Sequence, residues 1–187
     1  MTEAELINGC IANDRRCQSQ LYKLYFSFMS KIAMRYYENT DDAVASMNLA
    51  FLKLLQNIKN YDSSFSLSTY LGRILMNTIL TDIKARSKYG LLFLDEDEIE
   101  YEYEFSVNES EQDLAYNDIL KLIFTLPPLH RNTFNLFVLD GYSHKEISTM
   151  LNISEAHSKW LVHDGRKRIL KMLQGVNQEI VSLKKVL

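Results

Sequence analysis

Glycine and proline are scarce in this chain, at six and two among 187 residues. Sandwiches and barrels need both at their turns, so the shortage argues against them and predicts helices joined by short connections. Cysteine is nearly absent, with Cys10 and Cys17 the whole complement. Two thiols make no disulfide framework, and no further ligands lie near them for zinc. Seven residues apart in what reads as one helix, they are expected on roughly the same face, reduced, in a cytoplasmic protein. No apolar run approaches the roughly 20 residues of a membrane span, and the opening MTEAELINGCIANDRR is too polar and acidic for a signal peptide. His130, His144, His157 and His163 form no metal-ligand pattern and read as polar surface residues. A phosphate-cradling glycine-rich loop and a nucleophile elbow are both missing. Membrane insertion, a metal, a cofactor and catalysis are therefore not expected.

The length suits one ordinary domain or two small ones. A net charge of −3 at first argues against nucleic acid, but the charge is segregated. Residues 1–88 hold 11 Lys/Arg and 8 Asp/Glu, residues 89–120 hold none against 11, and residues 121–187 hold 10 against 5. Two mildly basic blocks flank a strongly acidic one. The expected organisation is all-α: a helical domain at 1–88, an acidic linker at 89–114, a helix-turn-helix domain at 115–175 and a tail at 176–187.

In the first block Thr2 and Glu5 fit a capping box, and Leu6, Cys10, Cys17, Leu21, Leu24, Tyr25 and Phe28 follow at helical spacings. Asn39-Thr40-Asp41-Asp42 is a helix start, leading a stripe of Val44, Met47, Phe51, Leu54, Leu55 and Ile58. Turn formers at Asn60-Tyr61-Asp62-Ser63-Ser64 break it, and another helix spans about 67–86. The middle segment LDEDEIEYEYEFSVNESEQD reads as a solvated spacer or, with Phe93, Tyr101, Tyr103 and Phe105 interleaved, as a nucleic-acid mimic that docks on a basic surface. In the last block a helix over 129–139 stops at Asp140-Gly141. Ser143-His144-Lys145-Glu146 caps a second helix through Leu151, and Ser154 caps a third running to about Leu173. A three-residue turn before a longer helix carrying Lys159, Arg166, Lys167 and Arg168 describes a DNA-binding helix-turn-helix.

The run LPPLHRNTFNLFVLDGYSHKEISTMLNISEAHSKWLVHDGRKRIL resembles the C-terminal domain of extracytoplasmic-function sigma factors of the sigma-70 family. LINGCIANDRRCQSQLYKLYFSFMSKIAMRYYENTDDA is similar to that family's opening helices, and YLGRILMNTILTDIKAR to the helix facing its minus-ten element. The likeness, of a Bacteroidetes-like kind, covers about 5–88 and 115–173 in the family's order. It implies an RNA polymerase subunit that brings core polymerase to promoters and helps open the DNA, with core polymerase (β′ clamp and β flap) and promoter DNA as partners. The resemblance assigns the non-template strand to Lys59, Asn60, Tyr61, Ser63, Ser64, Phe65, Tyr70, Arg73, Asn77, Lys84 and Arg86. A loop of this kind can pocket a flipped base and an aromatic face can stack on one, although Tyr61, Phe65 and Tyr70 read equally as core aromatics. It assigns the upstream element to Arg131, Ser143, His144, Lys145, Ser154, His157, Ser158, Lys159, His163, Arg166 and Lys167. The polymerase face falls on Asp41, Asp42, Asn48, Leu49, Phe51, Leu52, Lys53 and Gln56.

Three departures stand out. Ala45, Asn48 and Leu49 replace the family's usual acid and Gln-Glu pair, so the polymerase face is altered or weaker. Tyr70 stands for a usual Trp and Thr81 for a usual Asp. On the third helix of the last block, Val162, Gly165, Ile169 and Met172 are expected inward, leaving Trp160, Leu161 and Asp164 outward as a surface suited to protein. That surface fits an anti-sigma factor or a DNA-bound recruiting protein. The rival functions are a stand-alone helix-turn-helix regulator and a degenerate sigma-like adaptor that no longer melts DNA.

Overall fold

The computed structural model describes residues 1–88 and 119–186, with side chains as far as residue 173. The chain divides into two compact units, 1–88 and 89–187. No strand occurs among the described residues, and the fold is all-α.

In the first unit, α1 (Glu3–Ile11) opens on the expected capping box. Thr2 Oγ1 accepts from Glu5 N at 3.3 Å while Glu5 Oε2 accepts from Thr2 N at 2.8 Å. This helix does not run on to Cys17. Asn13 adopts a left-handed φ of 60°, and Asp14 caps a new helix, α2 (Arg15–Ala33), by accepting from Arg16 N at 2.8 Å. Cys10 and Cys17 therefore sit on different helices, correcting the expectation of one, because an Asn-Asp pair serves as stop and cap together. Both thiols are buried, and burial pushes Cys10 up to about 11. A Cβ on Gly9 would lie 2.2 Å from Cys17 Sγ, so the α1–α2 crossing requires glycine there.

Asn39 caps α3 (Thr40–Asn57) by accepting from Asp41 N at 2.7 Å. A 3₁₀ turn at Ile58–Asn60 and an irregular loop lead into α4 (Leu67–Lys88). Leu21, Met29, Met47, Leu54, Ile58, Leu71, Leu75 and Ile79 fill the interior between α2, α3 and α4. Each fully buried side chain of this size is worth about 1.5–3 kcal/mol. Leu24, one of the apolar residues at helical spacing, is exposed on α2.

In the second unit, a helix α5, described over residues 119–124, precedes α6 (Pro128–Phe134), which has proline in its first turn. The chain widens into a π turn at Asn135–Leu139, closed by Asp140 N donating to Asn135 O at 3.0 Å. Gly141, at φ 75°, makes the reversal that a side chain would strain. α7 (His144–Leu151) carries the Ser143/Glu146 capping box and ends on left-handed Asn152. α8 (Glu155–Val186) begins where Ser154 Oγ accepts from His157 N at 3.1 Å, and it continues well past Leu173. Leu120, Ile123, Leu126 and Phe134 form this unit's core, with Ile169 of α8 packed on it. The acidic segment centred on 94–113 and the side chains of the tail lie outside the described residues.

Candidate nucleic-acid and polymerase interfaces

The loop after the 3₁₀ turn is a preformed structure. Asp62 Oδ1 accepts from Ser64 N at 2.9 Å, an Asx turn, and that bond holds the Asp62 carboxyl below its usual range. Tyr61 Oη donates to Phe65 O at 2.5 Å, and the Tyr61 ring meets Tyr70 at 5.4 Å between centroids. Ser66 Oγ accepts from Thr69 N at 3.2 Å and starts α4. Held this way, Phe65 projects outward at 63% exposure, beside exposed Ser63 and Ser64 and after exposed Lys59 and Asn60. Tyr61 and Tyr70 are half-buried, so each ring plugs the loop with one face and leaves part of itself outside. From Tyr70, exposed Arg73, Asn77, Thr81 and Lys84 recur every three or four residues and form one row along α4. A polar-aromatic loop thus runs into a cationic helix row.

Arg86 does not belong to that row. Its Nη1 donates to Asp42 Oδ2 at 2.9 Å and its Nε to Asp82 Oδ2 at 2.8 Å, with the guanidinium 5.4 Å from the Tyr37 ring centre. Arg86 instead ties the end of α4 to the start of α3 through Asp42, whose side chain stays about two-fifths exposed.

On α3 the exposed residues Asp41, Ala45, Asn48, Leu49, Leu52 and Gln56 share one side. Leu49 and Leu52 are 47% and 50% exposed, so the substitution at position 49 does present an apolar group to solvent. Two neighbouring assignments are corrected. Phe51 is buried with its ring 5.1 Å from Tyr22, and Lys53 Nζ turns to donate to the buried Thr78 Oγ1 at 3.1 Å. Sequence reasoning missed the α2 side of this surface. Tyr22 Oη donates to Asn48 Oδ1 at 2.7 Å, and Phe26 beside it is exposed. Phe26 falls off the buried Cys17–Leu21–Tyr25–Met29 stripe, a phase signal that was readable.

In the second unit three expected DNA contacts turn inward. Arg131 is buried with its guanidinium over the Phe124 ring at 4.9 Å and Nη1 donating to Phe124 O at 3.4 Å. Ser158 is fully buried, 3.0 Å from His144 Nδ1, and the His144 ring stacks on Phe137 at 4.2 Å. Burial, then the cation of Lys159, lowers the His144 pKa. Ser143 and Ser154 remain exposed but serve as caps. Exposed Lys145, Lys159, Arg166 and Lys167 leave a cationic surface on α7 and the outward side of α8, with His157 and His163 exposed among them. Of the three residues expected to form a protein-binding surface, only Trp160 is exposed, at 53%. Leu161 is buried, and Asp164 accepts from Arg168 Nε at 2.6 Å with His130 Nε2 at 3.2 Å. His130 is itself buried, against the expectation of a surface residue.

The sigma-70 region 2 family pattern matches residues 21–89, and the sigma-70 region 4 pattern matches residues 116–169, together more than half of the chain. The chain belongs to the extracytoplasmic-function sigma factors of the sigma-70 family. Among similar proteins, the ECF RNA polymerase sigma factor SigW of Bacillus subtilis (strain 168) is 27% identical over 174 residues, covering 87% of this chain and 92% of that protein. SigM of the same organism is 22% identical over 162 residues, covering 86% and 98%. The fold also matches the sigma factor RpoE of Bartonella quintana, solved with the anti-sigma factor NepR. That match has a TM-score of 0.52 at 16% identity, over 83% of this chain and 96% of that one. A sigma factor is a non-enzymatic subunit that directs core RNA polymerase to promoter DNA for initiation, and core polymerase and promoter DNA are this chain's partners. Among the described residues no helix is long and apolar enough to cross a membrane, and no cluster of three or more His, Cys, Asp or Glu could hold a metal.

Proposed function

We propose that this sigma factor holds the non-template strand on the face made by the 58–66 loop and α4. Phe65 and the Tyr61–Tyr70 pair supply stacking surfaces, and Arg73, Asn77, Lys84 and Lys59 supply backbone and base-edge contacts. The observation that carries this reading is the continuity of that face. An exposed aromatic is fixed at a preformed turn, and a cationic row leads directly away from it. Asp41, Asn48, Leu49, Leu52 and Gln56 on α3, extended by Phe26, form the polymerase-docking side. Its apolar character replaces charge pairing by burial of leucine. The cationic outward side of α8 takes the upstream duplex in the major groove. Such partners put the working protein in the cytoplasm.

The test is reconstitution with core polymerase followed by permanganate probing of promoter DNA. The wild-type chain is expected to give reactive thymines in a melted bubble. Phe65→Ala is expected to abolish that reactivity while polymerase still co-purifies with the chain. Unchanged thymine reactivity in Phe65→Ala and Arg73→Ala alike would overturn the assignment of the strand to this face. A wild-type chain that binds polymerase yet opens nothing would favour the adaptor.

A further inference from the structure

Trp160, the chain's only tryptophan, lies on the outward side of α8, in the middle of the surface assigned above to upstream duplex. An exposed tryptophan commonly marks a protein-binding site, but such sites set it within an apolar surround. Here the surround is polar and basic. Ala156, His157 and His163 are its exposed neighbours one turn away, Lys167 lies two turns along the same face, and exposed Lys159 and Arg166 stand toward one flank. Leu161, which would have extended an apolar patch, is buried. The next large exposed apolar side chain on this side, Leu170, is ten residues on, about 15 Å along the axis. Asp164 puts no bare negative charge here, because Arg168 and His130 hold it on the flank. A single large apolar ring beside the cations of Lys159, Arg166 and Lys167 is complementary to a polyanion with an apolar spot.

The indole is also held in place. The His130 ring meets its edge at 5.4 Å between centroids, and the His157 ring lies tilted at 5.9 Å. His130 is buried and fixed by Asp164, so one support of the indole is anchored in the domain core. A preorganised aromatic loses little side-chain entropy when it engages a ligand. In a major groove the one apolar feature on the base edges is the C5-methyl of thymine.

We propose that Trp160 is a specificity-determining residue of this sigma factor, packing its indole against the C5-methyl of a thymine in the upstream promoter duplex. Lys159, Arg166 and Lys167 hold the flanking phosphates, and His130 is a positioning residue that never touches DNA. The inference rests on α8 being the duplex-reading helix, and the experiment separates the two.

Promoter duplexes selected from a randomised pool by the reconstituted holoenzyme are re-synthesised with uracil in place of each upstream thymine in turn. Losing one buried methyl is worth a factor of about four in affinity. Wild-type holoenzyme is expected to show that loss at one thymine position. Trp160→Ala is expected to bind the parent duplex more weakly and to show a flat uracil profile, and Trp160→Phe to restore the position-specific step. The half-exposed side chain leaves folding intact on substitution, checked by helical circular dichroism. The full chain labelled with 5-fluorotryptophan gives a single fluorine resonance, expected to shift when the holoenzyme binds the thymine duplex and to shift differently with the uracil one. A Trp160→Ala holoenzyme that keeps the wild-type uracil profile would overturn the assignment of Trp160. So would loss of a bound protein rather than of base preference. A wild-type holoenzyme whose Lys159→Ala and Lys167→Ala variants bind all upstream duplexes unchanged would overturn the reading of α8 itself.

Discussion

Replacing Arg86 with alanine separates a structural tie from a DNA contact. Arg86 spans from α4 to the first turn of α3 through Asp42 at 2.9 Å, closes on Asp82 at 2.8 Å, and covers the Tyr37 ring. The side chains are near 40% exposed, so each ion pair is screened and worth about 0.3–1 kcal/mol. The cation over the ring adds about 0.5–1 kcal/mol. Arg86→Ala should thus weaken residues 1–88 by about 1–3 kcal/mol. At a urea slope of about 2 kcal/mol/M that lowers the midpoint by roughly 0.5–1.5 M. Hydrogen exchange of α3 and α4 amides reports this unit. Emission of Trp160, the sole tryptophan, reports the other unit and should not move. Arg86 beside Asp42 holds that carboxyl below its usual range. The associated stability is therefore fully present above the ordinary Asp value of about 3.9 and is lost as pH falls through the lowered one. In Arg86→Ala that acid-side loss should shrink. The result that refutes the reasoning is an Arg86→Ala chain whose first unit melts like wild type while strand binding falls, which would return Arg86 to the DNA.

Leu52→Glu should reduce co-purification of core polymerase by about tenfold or more, since an apolar docking surface cannot bury a carboxylate unpaired; retained recovery would move the docking face elsewhere. His144, neutral in its stack on Phe137, has a pKa below the ordinary 6.5, so the unfolded chain takes the proton first. Urea midpoints read by Trp160 emission should accordingly fall as pH drops below about 6.5, and His144→Gln should flatten that slope. Gly9→Ala forces a Cβ to 2.2 Å from Cys17 Sγ and should cost about 1–3 kcal/mol of stability in the first unit, seen as a lower urea midpoint of its amide exchange.

Much of this fold was legible because its punctuation is local. Thr2 with Glu5, Asn39, Ser143 with Glu146, Gly141 and Ser154 act within four residues of themselves, and each does in the structure what its type and spacing predict. Long-range polar ties carry no such signal. Arg86 finds Asp42 44 residues away, and Lys53 finds Thr78 25 away. A cation reaching a buried hydroxyl and one reaching phosphate are the same letter at the same helical phase. Arg131 and Ser158 show the cost in the second unit: both are polar residues of a motif that binds DNA, and both are spent inside the fold, on Phe124 and His144. Phe51 is different, because its helix phase and its family position point in opposite directions. Its place in the stripe with Met47, Leu54 and Ile58 puts it inside, while family position puts it on polymerase. Helix phase determines the direction of Cβ, whereas a family position determines only the place along the chain. Where the two disagree phase decides. Leu161 sits at the edge of its helix's inward stripe, where phase alone expected it outward, and it is buried beside Val162. That leaves Trp160 alone on its surface, and a lone aromatic among cations is a different chemical object from an apolar patch.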